Sequence, residues 1–116
     1  MNLKDYIRSI QDYPKKGILF RDITTLIKDE LAFEETINQI VERSKKFKVD
    51  KIAAIESRGF VFASAVSFVL RKPFIMLRKK NKLPADVHSV NFQLEYGTAT
   101  IEVHKDSISE NDSVLI

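Results

Sequence analysis

The stretch from Ile52 to Phe62 constrains the fold more than any other. An apolar run of strand length ends at a polar bend, Glu56-Ser57-Arg58-Gly59, and a longer apolar run follows from Phe60 to Leu70. The first run suits a strand covered on both faces. The second is rich in Ala and Ser and stops at Arg71-Lys72, just before Pro73, as helices stop. Pro73 to Leu77 reads as another buried strand. Strands at 49–55 and 73–77 with a helix at 60–70 between them make a right-handed parallel βαβ unit. In such sheets ligands bind where a strand ends and a helix begins, because the leftover N–H groups and the helix dipole favour an anion. Gly59 permits a tight turn or a close backbone approach. Arg58 offers a planar, forked donor suited to phosphate. On these residues alone, an ordinary turn with solvated Glu56 and Arg58 fits equally well.

A chain of 116 residues suits one domain with one core. Cysteine is absent, which excludes disulfides, thiolate metal sites and a cysteine nucleophile. No run approaches the ~20 apolar residues of a membrane span, and the N-terminus has no apolar leader core. The expectation is a cytoplasmic protein without membrane contact. A net charge of +3 is too slight to imply nucleic acid, and no aromatic RNA-binding pattern accompanies it.

Before the βαβ unit, Leu3, Ile7 and Ile10 recur near helical spacing behind a capping Asn2, which predicts a short amphipathic helix over 3–11. Tyr13 to Gly17 is a turn by composition, and Ile18 to Thr24 reads as an extended segment. Asp29 is a good N-cap for an amphipathic helix over 30–47, with Phe33, Ile37, Ile40, Val41, Ser44 and Phe47 on one face. That helix is expected to cover one face of the sheet.

After Leu77 the character changes. Arg78-Lys79-Lys80-Asn81-Lys82 is strongly basic. Val90, Phe92 and Leu94, then Ala99, Ile101 and Val103, alternate with polar residues, which predicts an antiparallel hairpin turning near Tyr96-Gly97. Such a connection is either a surface hairpin or an active-site lid. Val114-Leu115-Ile116 begins another apolar strand.

The Glu56–Gly59 bend and the basic segment follow successive parallel strands on one edge of the sheet. A basic segment beside a helix N-terminus implies a polyanion, such as pyrophosphate or a phosphorylated sugar. A glutamate on the hairpin, Glu95, could then serve as acid or base or stabilise positive charge. Ser57 has no histidine nearby in sequence, His88 and His104 lack metal-ligand spacing, and no dinucleotide or P-loop glycine motif is present.

Four ordered blocks resemble the N-terminal two thirds of the adenine phosphoribosyltransferases, in the type I phosphoribosyltransferase family. They are Tyr13-Pro14-Lys15-Lys16-Gly17-Ile18-Leu19-Phe20-Arg21-Asp22-Ile23-Thr24, Ile55-Glu56-Ser57-Arg58-Gly59-Phe60, Arg78-Lys79-Lys80-Asn81-Lys82-Leu83-Pro84, and Leu94-Glu95-Tyr96-Gly97. The run Ile101 to Asp106 also fits. The resemblance implies an α/β fold in which a parallel sheet is flanked by helices. It implies one phosphoribosyltransferase domain over 1–116, with a small base-binding hood at 1–28 and a lid hairpin at 79–104. It further implies conversion of adenine and 5-phosphoribosyl pyrophosphate to AMP and pyrophosphate, with Mg²⁺ bound alongside the substrate pyrophosphate and no metal ligand from the protein. By the same resemblance Leu19, Phe20 and Arg21 form the adenine pocket. Glu56, Ser57, Arg58 and Gly59 bind pyrophosphate, often through a strained peptide bond in this family. Arg78, Lys79 and Lys82 reach pyrophosphate across a homodimer interface. Tyr96 closes over the site with Glu95, the candidate for proton transfer at the purine.

The resemblance has departures. Ala54 and Ala63 stand where glycine is expected. The acidic pair and Thr/Gly-rich loop that hold ribose and its phosphate in the family would follow a strand such as Val114–Ile116. They are not among these residues, so the sequence is expected to be a fragment that is inactive by itself. The alternatives are a related purine phosphoribosyltransferase acting on xanthine or guanine, or a non-catalytic nucleotide-binding relative.

Overall fold

The structure, a computed structural model, describes residues 1–94 and 97–116. The chain divides into two compact units, Met1–Glu42 and Arg43–Ile116.

In the first unit, Asn2 Oδ1 accepts from Lys4 N at 3.1 Å and opens a 3-10 turn, Leu3–Tyr6. The helix expected over 3–11 ends there. Strand β1, Arg8–Gln11, replaces its second half and pairs antiparallel with β2, Leu19–Asp22, in the register Arg8↔Asp22 to Gln11↔Leu19. A helix this short is marginal alone in water. Pairing with β2 satisfies the backbone instead, and the Arg8–Asp22 ion pair reinforces the register. The connection contains a cis Tyr13–Pro14 peptide and a left-handed Gly17, whose N–H donates to Asp12 Oδ1 at 2.8 Å.

A short helix that the sequence did not announce, α1 (Thr24–Ile27), follows β2. The N-cap expected at Asp29 is present, with its Oδ1 accepting from Ala32 N at 2.9 Å, and α2 runs Glu30–Ser44. Ile37 and Ser44 are buried and Phe33, Ile40 and Val41 are half-buried, as the periodicity requires. Phe47 departs from it: the helix has ended, and its side chain is exposed. Leu26, Ala32 and Ile37 form the buried apolar centre of this unit.

The second unit holds β3 (Lys51–Ile55), α3 (Arg58–Leu70), β4 (Phe74–Lys79), β5 (Val87–Leu94), β6 (Gly97–His104) and β7 (Val114–Leu115). Their five-stranded sheet has the order β5-β6-β4-β3-β7. β3 lies parallel to β4, with Ile52 opposite Phe74 and Ile55 opposite Leu77, and parallel to β7 on its other side. Ile52, Ala53 and Ala54 are buried in succession, as expected of a strand covered on both faces. The hairpin extends the sheet, because β6 pairs antiparallel with β4 through Arg78↔Glu102 and Lys79↔Ile101.

β4 is longer than expected and runs through Arg78 and Lys79. α3 ends on Arg71, in the left-handed conformation at φ 55°, and Phe60 packs edge-on against Phe74 with ring centroids 5.4 Å apart. Lys51 Nζ binds Asp112 Oδ2 at 2.7 Å and the Ser107 carbonyl at 2.8 Å, and Asp50 accepts from Ser113 N at 2.9 Å. These contacts fasten the polar 105–113 connection to the start of β3.

Candidate active site

The sheet edge where β3 and β4 end carries the clearest constellation. β3 stops at Ile55, the Glu56–Ser57 peptide is cis, and α3 begins at Arg58. The bend has no spare volume on its inner side, since a Cβ on Gly59 would lie 3.2 Å from Ala54 Cβ. Ser57 and Arg58 are exposed at the helix start, where the first N–H groups of a helix and its dipole favour an anion.

Parallel pairing brings the end of β4 beside this bend. Glu56 Oε1 accepts from Lys79 N at 2.7 Å and from Arg78 Nε at 3.3 Å. The Lys79 N–H, and then the Arg78 guanidinium, hold the Glu56 carboxyl below the usual carboxylate range against the opposing effect of burial. Glu56 is therefore the tie between the bend and the basic segment. Arg58, Lys79, Lys80 and Lys82 are all exposed cations on these segments. Arg78 is half-buried and committed to Glu56.

In the first unit, the alternation of β2 separates the residues expected to form a base pocket. Arg21 Nη1 donates to Ser9 Oγ, and both line a cavity of about 420 Å³ with Lys4 and Ile7. Phe20 lies on the other face of the strand, edge-on to Tyr13 with ring centroids 5.1 Å apart. Leu19 is exposed and does not line that cavity. Asp22, to which the sequence analysis gives no role, is buried. Its Oδ1 accepts from Thr24 N at 2.9 Å and Thr24 Oγ1 at 2.7 Å, and its Oδ2 accepts from Arg8 Nε at 3.0 Å.

Glu95 and Tyr96 lie outside the described residues. The strands that flank them are in register to Leu94↔Gly97. Glu102 was also missed. In sequence it alternates with Ile101 and Val103 and reads as solvent-facing, yet it is buried. No signal in the sequence separates it from an ordinary exposed strand glutamate. Among the described residues there is no group of three or more His, Asp or Glu able to cage a metal ion, and no helix long and apolar enough to cross a membrane.

No family model matches the chain. It is 84% identical over all 116 residues to the adenine phosphoribosyltransferase of Pelagibacter ubique (strain HTCC1062), of which it covers 66%. It is 49% identical over 116 residues to the adenine phosphoribosyltransferase of Nitrosomonas eutropha (strain DSM 101675 / C91 / Nm57), of which it covers 67%. A crystal structure of adenine phosphoribosyltransferase from Thermoanaerobacter pseudethanolicus superposes with a TM-score of 0.92 at 44% identity, over 97% of this chain and 65% of that one. The chain thus spans about two thirds of the length of these relatives.

Proposed function

This chain belongs to the adenine phosphoribosyltransferase family, and we propose that it carries the adenine-binding and pyrophosphate-binding parts of an enzyme of purine salvage. The reaction is adenine plus 5-phosphoribosyl pyrophosphate giving AMP plus pyrophosphate. The observation that carries this reading is the junction of the Ser57–Arg58 helix start with the Arg78–Lys79 strand end through Glu56. It places a helix N-terminus and several cations around one sheet edge.

The chemistry needs such a place. The sugar C1–oxygen bond breaks, and its electron pair leaves with pyrophosphate. The new bond forms between C1 and a ring nitrogen of adenine, whose proton must depart. The ribose passes through an oxocarbenium-like state while negative charge gathers on the leaving group. Arg58 and the N–H groups at the start of α3 would bind that charge, with Lys79 and Lys82 contributing longer-range attraction. Glu56 would not touch pyrophosphate as an anion; it would hold Arg78 and Lys79 in place. Arg21 would border the base in its cavity with Ser9, and Glu95 would take the purine proton. Tyr96 and the hairpin would exclude water, which otherwise hydrolyses the activated sugar.

The donor set fits Mg²⁺ arriving with its substrate. Glu56 is already engaged, and Mg²⁺ commonly takes its ligands from phosphates and water. When bound, the ion would neutralise charge on pyrophosphate. We also propose a cytoplasmic homodimer in which Lys79 and Lys82, both exposed, are available to a partner's substrate.

The test is to incubate the complete gene product with adenine, 5-phosphoribosyl pyrophosphate and Mg²⁺ and to follow AMP. AMP formation from adenine in preference to guanine or xanthine supports the reading. Turnover of guanine or xanthine instead moves the chain to the related purine enzymes. No nucleotide from any purine favours a non-catalytic relative.

A further inference from the structure

Glu102 is 8% exposed, although it lies on a strand next to the outermost one of the sheet. Its two carboxylate oxygens go to different segments. Oε1 accepts from Asn81 N at 2.9 Å, and Oε2 accepts from Ser89 Oγ at 2.6 Å. Asn81 has φ 66°, the left-handed conformation that turns the chain away from β4. Glu102 sits opposite Arg78 on one side and Ser89 on the other. One side chain therefore joins the basic turn to both strands of the hairpin.

Glu56 does the corresponding work on the sheet side, accepting from Lys79 N at 2.7 Å. The basic segment is thus suspended between two carboxylates, with Glu56 holding its beginning and Glu102 its bend. The Ser89 hydroxyl, then the Asn81 N–H and more weakly the Lys80 charge, keep the Glu102 carboxyl below its ordinary range. A buried carboxylate beside a site for a polyanion repels the ligand, so its presence there needs a compensating role.

We propose that Glu102 is a positioning residue for pyrophosphate: by holding Asn81 and Ser89 together it fixes the turn that presents Lys80 and Lys82 and ties that turn to the hairpin. The inference rests on the reading of the basic segment as a pyrophosphate site. Glu102 touches no substrate in this role.

The test compares Glu102→Ala and Glu102→Gln with the wild type in the complete gene product. It uses calorimetric titration with inorganic pyrophosphate and Mg²⁺, parallel titration with adenine, and amide exchange at Asn81. Glutamine keeps an acceptor for Asn81 N–H, and the Ser89 hydroxyl can rotate to accept from the new amide. The expected result for Glu102→Ala is about tenfold weaker pyrophosphate binding, unchanged adenine binding and faster exchange at Asn81. Glu102→Gln recovers most of both losses. If the alanine variant does not fold, Glu102→Asp, which keeps the charge but shortens the reach, gives the same contrast. Equal weakening of both ligands, or unaltered Asn81 exchange, overturns the proposal. Normal pyrophosphate binding by Glu102→Ala overturns the inference alone, whereas a wild type that binds no pyrophosphate overturns the functional reading with it.

Discussion

The Cβ of Ala54 lies 3.2 Å from where a Cβ on Gly59 would sit. Ala54 is the buried last-but-one residue of β3, and Gly59 is in the first turn of α3. The strand and helix around the bend meet through this pair, and a second methyl group there would force the two apart by a few tenths of an ångström. Gly59→Ala is expected to destabilise the protein by about 1–2 kcal/mol through overpacking. Ala54→Gly alone should cost about 1 kcal/mol from strand flexibility, but in the double variant it should relieve much of the Gly59→Ala loss. Urea unfolding of all four proteins measures the coupling, and strictly additive losses would show that the two positions do not compete for the same space.

Asp22 predicts a specific acid response. The Thr24 hydroxyl, then the Arg8 guanidinium and the Thr24 N–H, pull its carboxyl from 3.8 down to about 2. The folded state therefore resists protonation that the unfolded chain accepts. The contribution is complete above the unfolded value and disappears as pH falls through the folded one. Asp22→Asn should be less stable than wild type near neutral pH, with the gap narrowing between about pH 4 and pH 2. Denaturation midpoints across that range check this, and a gap that stays constant with pH would remove Asp22 as its source.

Glu95 is assigned through the family resemblance, in the block Leu94-Glu95-Tyr96-Gly97. If it takes the purine proton, Glu95→Gln should lower kcat by about a hundredfold. KM for adenine and for 5-phosphoribosyl pyrophosphate should change little. Steady-state kinetics on the complete gene product separate the two effects, and an unchanged kcat would exclude this role.

The order of elements in the second unit was legible because its signals are local. Ile52–Ile55 is short and continuously apolar, Phe60–Leu70 is longer and stops before Pro73, and Asp29 precedes a periodic run. Each pattern reflects a backbone preference that neighbouring residues satisfy together. The candidate site was legible in part. Spacing places the bend and the basic segment at one sheet edge, but it does not give the contacts of the Glu56 side chain. Its carboxylate turns out to be bonded to Lys79 N and Arg78. Nothing near Glu56 in the sequence identifies those partners, which come from the next parallel strand. Along β2, Arg21 lines the cavity with Ser9 while Phe20 lies against Tyr13, a separation set by strand alternation.

By itself the sequence determined the βαβ unit, the capped helix after Asp29, the hairpin and the family, since these follow from spacing, chain breakers and ordered motifs. Only the tertiary structure decided that Arg8–Gln11 is a strand, that the hairpin extends the sheet through β6, and that Glu102 is buried between Asn81 and Ser89. The reason is the same in each case. A strand is completed by hydrogen bonds to a partner distant in the chain, and a carboxylate is stabilised by donors brought there by the fold, so neither outcome is encoded in the residues alongside.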